Sequence, residues 1–135
     1  MKNKIYFDYA STTPIANEVK QDMGAALEDD LLGNASSLDH EFGLDASQAI
    51  ELARGDIAEL INAETGEIIW TSGATESNNL ALYGVCNFKP QDQLLSIASS
   101  YTEHKSVIEP LMQLKRKGHR VEFIQPNKHG YLEPA

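Results

Sequence analysis

Apolar residues recur every three or four positions between about His40 and Asn62, at Ala46, Ala49, Ile50, Ala53, Ile57, Leu60 and Ile61. That spacing lays them along one face of an α-helix and predicts one long helix with a single buried stripe. Gly43 and Gly55 interrupt it, and each should cost up to about 1 kcal/mol relative to alanine. A shorter helix is predicted upstream, capped by Asn17 and reaching about Asp30, with Val19, Met23, Ala26 and Leu27 on one face. Residues 33–37 read as a loop.

Beyond Asn62, strand-like and helix-like segments alternate. Glu67-Ile68-Ile69-Trp70 reads as a strand, 75–87 as a helix, Lys89-Pro90-Gln91-Asp92-Gln93 as a polar turn, and Leu94-Leu95-Ser96-Ile97-Ala98 as a second strand. A helix over 105–117 carries Val107, Ile108, Leu111, Met112 and Leu114, and Gly118 stands in its C-cap position. Residues 120–124 alternate as a third strand, and 127–130 read as a turn. This order implies an α/β fold with a wholly or partly parallel sheet and right-handed crossovers.

Composition narrows the partners. A net charge of −9 argues against a nucleic-acid binder. Apolar residues make up 41% and charged residues 23%, ordinary for a globular chain. No apolar run approaches the roughly 20 residues that span a bilayer. The start, Met1-Lys2-Asn3-Lys4-Ile5, has no apolar signal core. No membrane association is therefore expected, and the cytoplasm is the expected place. The single cysteine, Cys86, lies in an apolar helical stretch and reads as a buried structural thiol rather than a reactive one. His40, His104, His119 and His129 show no close ligand spacing, and Cys86 has no Cys-x-x-Cys partner, so no metal site is expected. Lys115-Arg116-Lys117 reads as a helix C-terminal charge group favoured by the helix dipole.

The run Thr71-Ser72-Gly73-Ala74-Thr75-Glu76-Ser77-Asn78-Asn79 joins a predicted strand to a predicted helix. The first N–H groups of a helix have no partner inside it and carry the positive end of its dipole, so such a turn can seat an anion. Gly73 and Ala74 let a phosphate approach, and Thr75 adds a hydroxyl and can serve as an N-cap. A capped helix after a strand, with no ligand, is the plainer reading of the same pattern. His104 closes the loop after the next predicted strand. Ligand crevices of α/β sheets lie at the carboxyl ends of strands, so His104 and the Gly73–Thr75 turn can face the same crevice. A solvated loop histidine is the alternative.

Four blocks in this order resemble the cysteine desulfurases: Asp8-Tyr9-Ala10-Ser11-Thr12-Thr13-Pro14, Gly33-Asn34-Ala35-Ser36-Ser37, the 71–79 run, and Thr102-Glu103-His104-Lys105. These are pyridoxal-phosphate (PLP) enzymes of aminotransferase fold type I, class V. The resemblance covers essentially the whole chain and matches the N-terminal portion of such an enzyme. It implies a three-layer sheet-and-helix large domain, with 1–14 an extended N-terminal segment and 15–135 the first, incomplete part of the PLP-binding domain. The implied reaction converts L-cysteine to L-alanine and passes sulfur to a protein persulfide, for iron–sulfur cluster or thiolated cofactor assembly. A homodimer with sites near the subunit interface is the family's form.

Carried over by position, Ala74 and Thr75 match the phosphate-binding residues. His104 matches the histidine that stacks on the PLP ring and assists proton transfer. Asn34 matches the asparagine of the Gly-Asn loop near the active site, with Ala35 where many relatives have proline, which implies a less rigid loop. His40 either shares the family role of that position or starts a helix. Lys105 is followed by Ser106-Val107-Ile108-Glu109 and so belongs to the stacking-histidine block, not to the block of the Schiff-base lysine. That lysine, the aspartate on the pyridine nitrogen, the mobile-loop cysteine and the substrate arginine lie in relatives beyond the stretch matched here. The chain by itself is therefore expected to hold PLP weakly or not at all and to be inactive alone. The expected partners are a complementary C-terminal chain or a full-length relative, and sulfur-acceptor proteins. The alternatives are a non-catalytic interaction module or remnant, and another class V enzyme such as a selenocysteine lyase or an aminotransferase.

Overall fold

The computed structural model describes residues 5–28, 33–88 and 93–133. The chain divides into two compact units, Met1–Ile68 and Ile69–Ala135. Among the described residues, no helix is long and apolar enough to cross a membrane.

The first unit holds α1 (Asn17–Glu28), α2 (Glu41–Ile61) and a 3-10 turn (Thr65–Glu67). The start of α2 is capped by His40, whose backbone is extended and whose Nδ1 accepts the N–H of Gly43 at 3.1 Å. At the other end Asn62 turns left-handed, with φ 54° and ψ 47°. The N–H groups of Asn62 and Ala63 then return to the carbonyls of Glu59 and Ala58 at 3.1 and 2.9 Å, which satisfies the last turn.

Gly43 is not the simple cost that its place in the helix implied. A Cβ there would lie 1.8 Å from the Ser37 carbonyl oxygen, and one at Gly33 would lie 1.7 Å from the Phe42 carbonyl oxygen. The 33–37 loop thus rests its backbone directly on the first turn of α2, and only glycine allows that approach. Gly55 has open space around it. Of the expected stripe of α2 only Ala46 is buried, Ala58 outside that stripe is buried as well, and Ile50, Ile57, Leu60 and Ile61 stay exposed. Val19, Met23 and Leu27 of α1 are exposed as well. An apolar stripe is buried only where another element covers it, and within this unit α2 packs on the short 3-10 turn. The predicted end of α1 at Asp30 falls outside the described residues.

The predicted strand at 67–70 does not form. Glu67 instead closes the 3-10 turn: its N–H donates to the Glu64 carbonyl at 2.9 Å and its Oε2 accepts the Glu64 N–H at 2.8 Å. Ile68 is extended (φ −90°, ψ 121°), but no strand among the described residues pairs with 68–70. An extended segment without a ladder partner is not a strand.

The second unit carries the α/β arrangement. Its elements are α3 (Ala74–Asn87), β1 (Ser96–Ser100), α4 (Lys105–Arg116) and β2 (Arg120–Ile124). β1 and β2 are parallel, with Ile97 opposite Val121 and Ser99 opposite Phe123. β2 lies where the alternation placed it. β1 begins two residues later than predicted, because Leu95 serves the approach to the sheet: its N–H donates to His119 Nδ1 at 3.2 Å and its carbonyl accepts from Arg120 at 2.9 Å. The turn predicted at 89–93 lies mostly outside the described residues.

Leu111 and Leu114 of α4 form the centre of this unit, each 1% exposed, against Cys86 of α3 and Val121 of β2. Leu82, Tyr83, Ile97, Val107 and Phe123 close around them. Cys86 is buried as expected, and burial pushes its thiol above the ordinary range, with Lys117 opposing the rise. The Tyr83 hydroxyl donates to Gln113 Oε1 at 2.8 Å and ties α3 to α4. Gly118 (φ 102°) ends α4, its N–H donating to Lys115 and that of His119 to Leu114, both at 3.1 Å. Pro110 lies buried inside α4 and has no N–H to give the Ser106 carbonyl one turn earlier.

Two contrasts test this packing by urea denaturation. Leu111→Ala should destabilise by about 2–5 kcal/mol. Gly43→Ala should destabilise by more than about 1 kcal/mol, because the Cβ meets backbone, whereas Gly55→Ala should be neutral or stabilise by up to about 1 kcal/mol.

Candidate functional site

The start of α3 is built to leave donors free. Gly73 is its N-cap at φ 156° and ψ −179°, a backbone region reserved almost wholly for glycine. Nothing lies within 4 Å of where its Cβ would be. Thr75, which the sequence allowed as an N-cap, is instead the second residue inside the helix. The first N–H to bond back is that of Ser77, to the Gly73 carbonyl at 3.1 Å. The N–H groups of Ala74, Thr75 and Glu76 precede it and find no partner among the described residues, nor does the Thr75 hydroxyl.

The polar side chains of the next turn hold the loop in this shape. Glu76 Oε2 accepts both the hydroxyl and the N–H of Ser72, each at 2.7 Å. Those two bonds, the hydroxyl's the larger, hold the Glu76 carboxyl below its ordinary pKa. Thr71 Oγ1 and Ser77 Oγ lie 2.6 Å apart, and each also reaches the Gly73 carbonyl at 3.3 Å. Asn79 Nδ2 donates to the Thr75 carbonyl at 2.7 Å. Loop groups are thereby paired with one another, and the donors of Ala74 and Thr75 are left over.

α4 starts on the other wall. His104 is its N-cap, and its Nδ1 accepts the N–H of Ser106 at 3.1 Å. Ser106 Oγ lies 2.9 Å from the same nitrogen and accepts from Asn78 Nδ2 of α3 at 2.9 Å. A backbone N–H can only donate, so toward Ser106 Nδ1 acts as the acceptor. Thr75, Asn79, Tyr83, His104, Lys105 and Ser106 line one groove of about 370 Å³.

The structure therefore brings Thr75 and His104 to one groove, with Ala74 beside Thr75. Asn34 belongs to the first unit. There its Oδ1 accepts the N–H of Ser36 at 3.0 Å and its carbonyl accepts that of Ser37 at 2.8 Å. Among the described residues, no group of three or more His, Cys, Asp or Glu side chains is placed to hold a metal ion. Sequence reasoning did not single out Glu76, Ser77, Asn78 or Ser106. Glu76 could have been found, since it stands three residues after the N-cap, where an acidic side chain folds back on the helix start. The Asn78–Ser106 contact joins residues 28 apart, and no local spacing announces it.

The chain resembles known proteins along its whole length. It is 45% identical over 136 residues to the cysteine desulfurase IscS of Shewanella piezotolerans, covering all of this chain and 33% of that protein. A solved NifS-like protein superposes with a TM-score of 0.78 at 31% identity, over 89% of this chain and 32% of that one. The structure of SspA in complex with cysteine gives a TM-score of 0.76 at 37% identity, over 90% and 34%. The chain thus spans about a third of the length of the curated relatives it matches. The family model of class-V aminotransferases matches residues 5–135, and the chain belongs to that family.

Proposed function

We propose that this chain supplies the phosphate seat and one ring wall of a PLP-dependent cysteine desulfurase. The observation that carries the reading is the single groove lined by Thr75, at the donor-rich start of α3, and by His104, at the start of α4. Two adjacent unpaired N–H groups, an unpaired hydroxyl and a glycine with no Cβ in the way form a donor set that suits a phosphate dianion. The chemistry of this donor set suits the phosphate of PLP. When bound, PLP draws electrons from the bonds around the substrate's α-carbon.

In this reading the N–H groups of Ala74 and Thr75 and the Thr75 hydroxyl hold the phosphate, and the flat face of His104 orients the ring. His104 Nε2 carries the proton available to the groove. Asn34, in the first unit, matches through the resemblance the asparagine of the family's Gly-Asn loop. In the overall reaction the C–S bond of L-cysteine and the S–H bond of an enzyme thiol break, an S–S bond forms between the two sulfurs, and the alanine carbon gains the proton. Cys86 is not that thiol, because it is buried in the core with its pKa raised. Neither is Lys105, at the start of α4, the cofactor-anchoring lysine. These residues on their own are therefore proposed to be inactive and to work with a complementary chain or a full-length relative that brings both groups. Leu60 at 80% and Phe88 at 91% exposure are apolar surface that such an association would cover. Sulfur-acceptor proteins would be the downstream partners, in the cytoplasm.

Titrating the chain with PLP, followed by absorbance, tests the seat. Weak but saturable binding is expected, and Thr75→Val should weaken it by about ten-fold or more, the loss of one hydrogen bond to a charged group. Equal affinity of the variant would sink the assignment. Alanine production from L-cysteine is expected to be absent with the chain alone, and robust turnover would overturn the proposed need for a partner.

The seat should also respond to acid. Because the folded Glu76 carboxyl titrates below its unfolded value, the stability it adds is present above the unfolded pKa and is lost as pH falls through the folded one. The protection factor of the Ser72 amide should fall over that acid range, and Glu76→Gln should remove that fall.

A further inference from the structure

We propose that Asn78 and Ser106 are positioning residues that set the tautomer of His104, so that Nε2 and not Nδ1 presents the proton to the groove. The inference deepens the reading of His104 as the ring wall of the PLP site and rests on it. Its basis is a chain of donors running one way across the groove. Asn78 Nδ2–H donates to Ser106 Oγ at 2.9 Å. Ser106 Oγ is 2.9 Å from His104 Nδ1, and the Ser106 N–H meets the same Nδ1 at 3.1 Å.

The direction follows from the chemistry of each group. The N–H of Ser106 cannot accept, so Nδ1 must. With Nδ1 an acceptor, the Ser106 hydroxyl near it must be the donor. The amide of Asn78 donates to that hydroxyl's oxygen, which leaves the Ser106 proton free to point at Nδ1. Successive bonds aligned in this way polarise one another. The ring is thus held by a helix cap and by a side-chain relay anchored on the neighbouring helix. Among the described residues nothing bonds to Nε2. In the neutral ring the two helices decide which nitrogen bears the proton.

The test needs no cofactor. With ¹⁵N-labelled histidine in the 135-residue chain, the His104 nitrogens are assigned by their loss in His104→Asn. They are read above the titration range of imidazole. The wild-type ring is expected to be predominantly Nε2–H. Ser106→Ala should lower the ratio of Nε2–H to Nδ1–H by about five-fold, equivalent to the ~1 kcal/mol of one hydrogen bond. Ser106→Thr, which keeps the hydroxyl, should restore it. Asn78→Asp should also lower the ratio with side-chain volume kept, because its carboxylate takes the Ser106 proton and turns Oγ into an acceptor for Nδ1–H. It remains decisive if Ser106→Ala fails to fold. A wild-type ring protonated on Nδ1, or a ratio unmoved by Ser106→Ala and Asn78→Asp, would overturn the relay. Failure of the wild-type chain to take up PLP would instead count against the proposed function and leave the tautomer ratio as it was.

Discussion

Burial of Leu111 and Leu114 is the interaction on which the site depends. Both project from α4 into the space between α3 and β2, and they are the most completely buried large side chains among the described residues. Their packing fixes α4 against α3 and so determines that the two helices begin side by side. Everything chemical in the groove is a consequence of where those two beginnings fall. Thr75 and His104 make no direct bond, and neither holds the other in place. They are neighbours because a few apolar side chains, about two to three turns further along α4, leave the helices no other arrangement.

The two helix starts solve the same problem in different ways. A helix N-terminus must satisfy or leave open its first N–H groups. α4 closes one of them with the imidazole of its own N-cap residue. α3 has a glycine cap that offers no side chain, and its nearby carboxylate reaches past the cap to Ser72. One start is therefore sealed and the other open to a ligand, and the difference lies in which residue occupies the cap.

What could be read in the sequence follows from the range of the forces involved. α2 was legible to within a residue at both ends, because its periodicity, His40 and Asn62 are local signals. β2 was legible because its alternation is uninterrupted. The segment after the 3-10 turn was misread as a strand, since apolar character shows a tendency to extend but not whether a partner is present to pair with it. Similarly, the stripe on α2 was correctly traced as a face, yet burial depends on what lies opposite, and in its own unit little does. At the candidate site, Ala74, Thr75 and His104 were singled out through motif blocks. Ser106 was passed over as an ordinary residue of a helix start, because its importance comes from Asn78 on another element.

Pro110 gives α4 a property that its length conceals. Without an N–H at that position, the ladder of the helix lacks the rung that would tie the Ser106 carbonyl to the turn beyond. The first turn is consequently a semi-independent piece, fastened at its front by the imidazole cap and at its side by a neighbouring amide, and only loosely from behind. That turn has one backbone restraint fewer than it would in an unbroken helix, while the remainder is packed by its leucines. A leucine-packed shaft and a first turn with one rung fewer thus share a single helix of 12 residues.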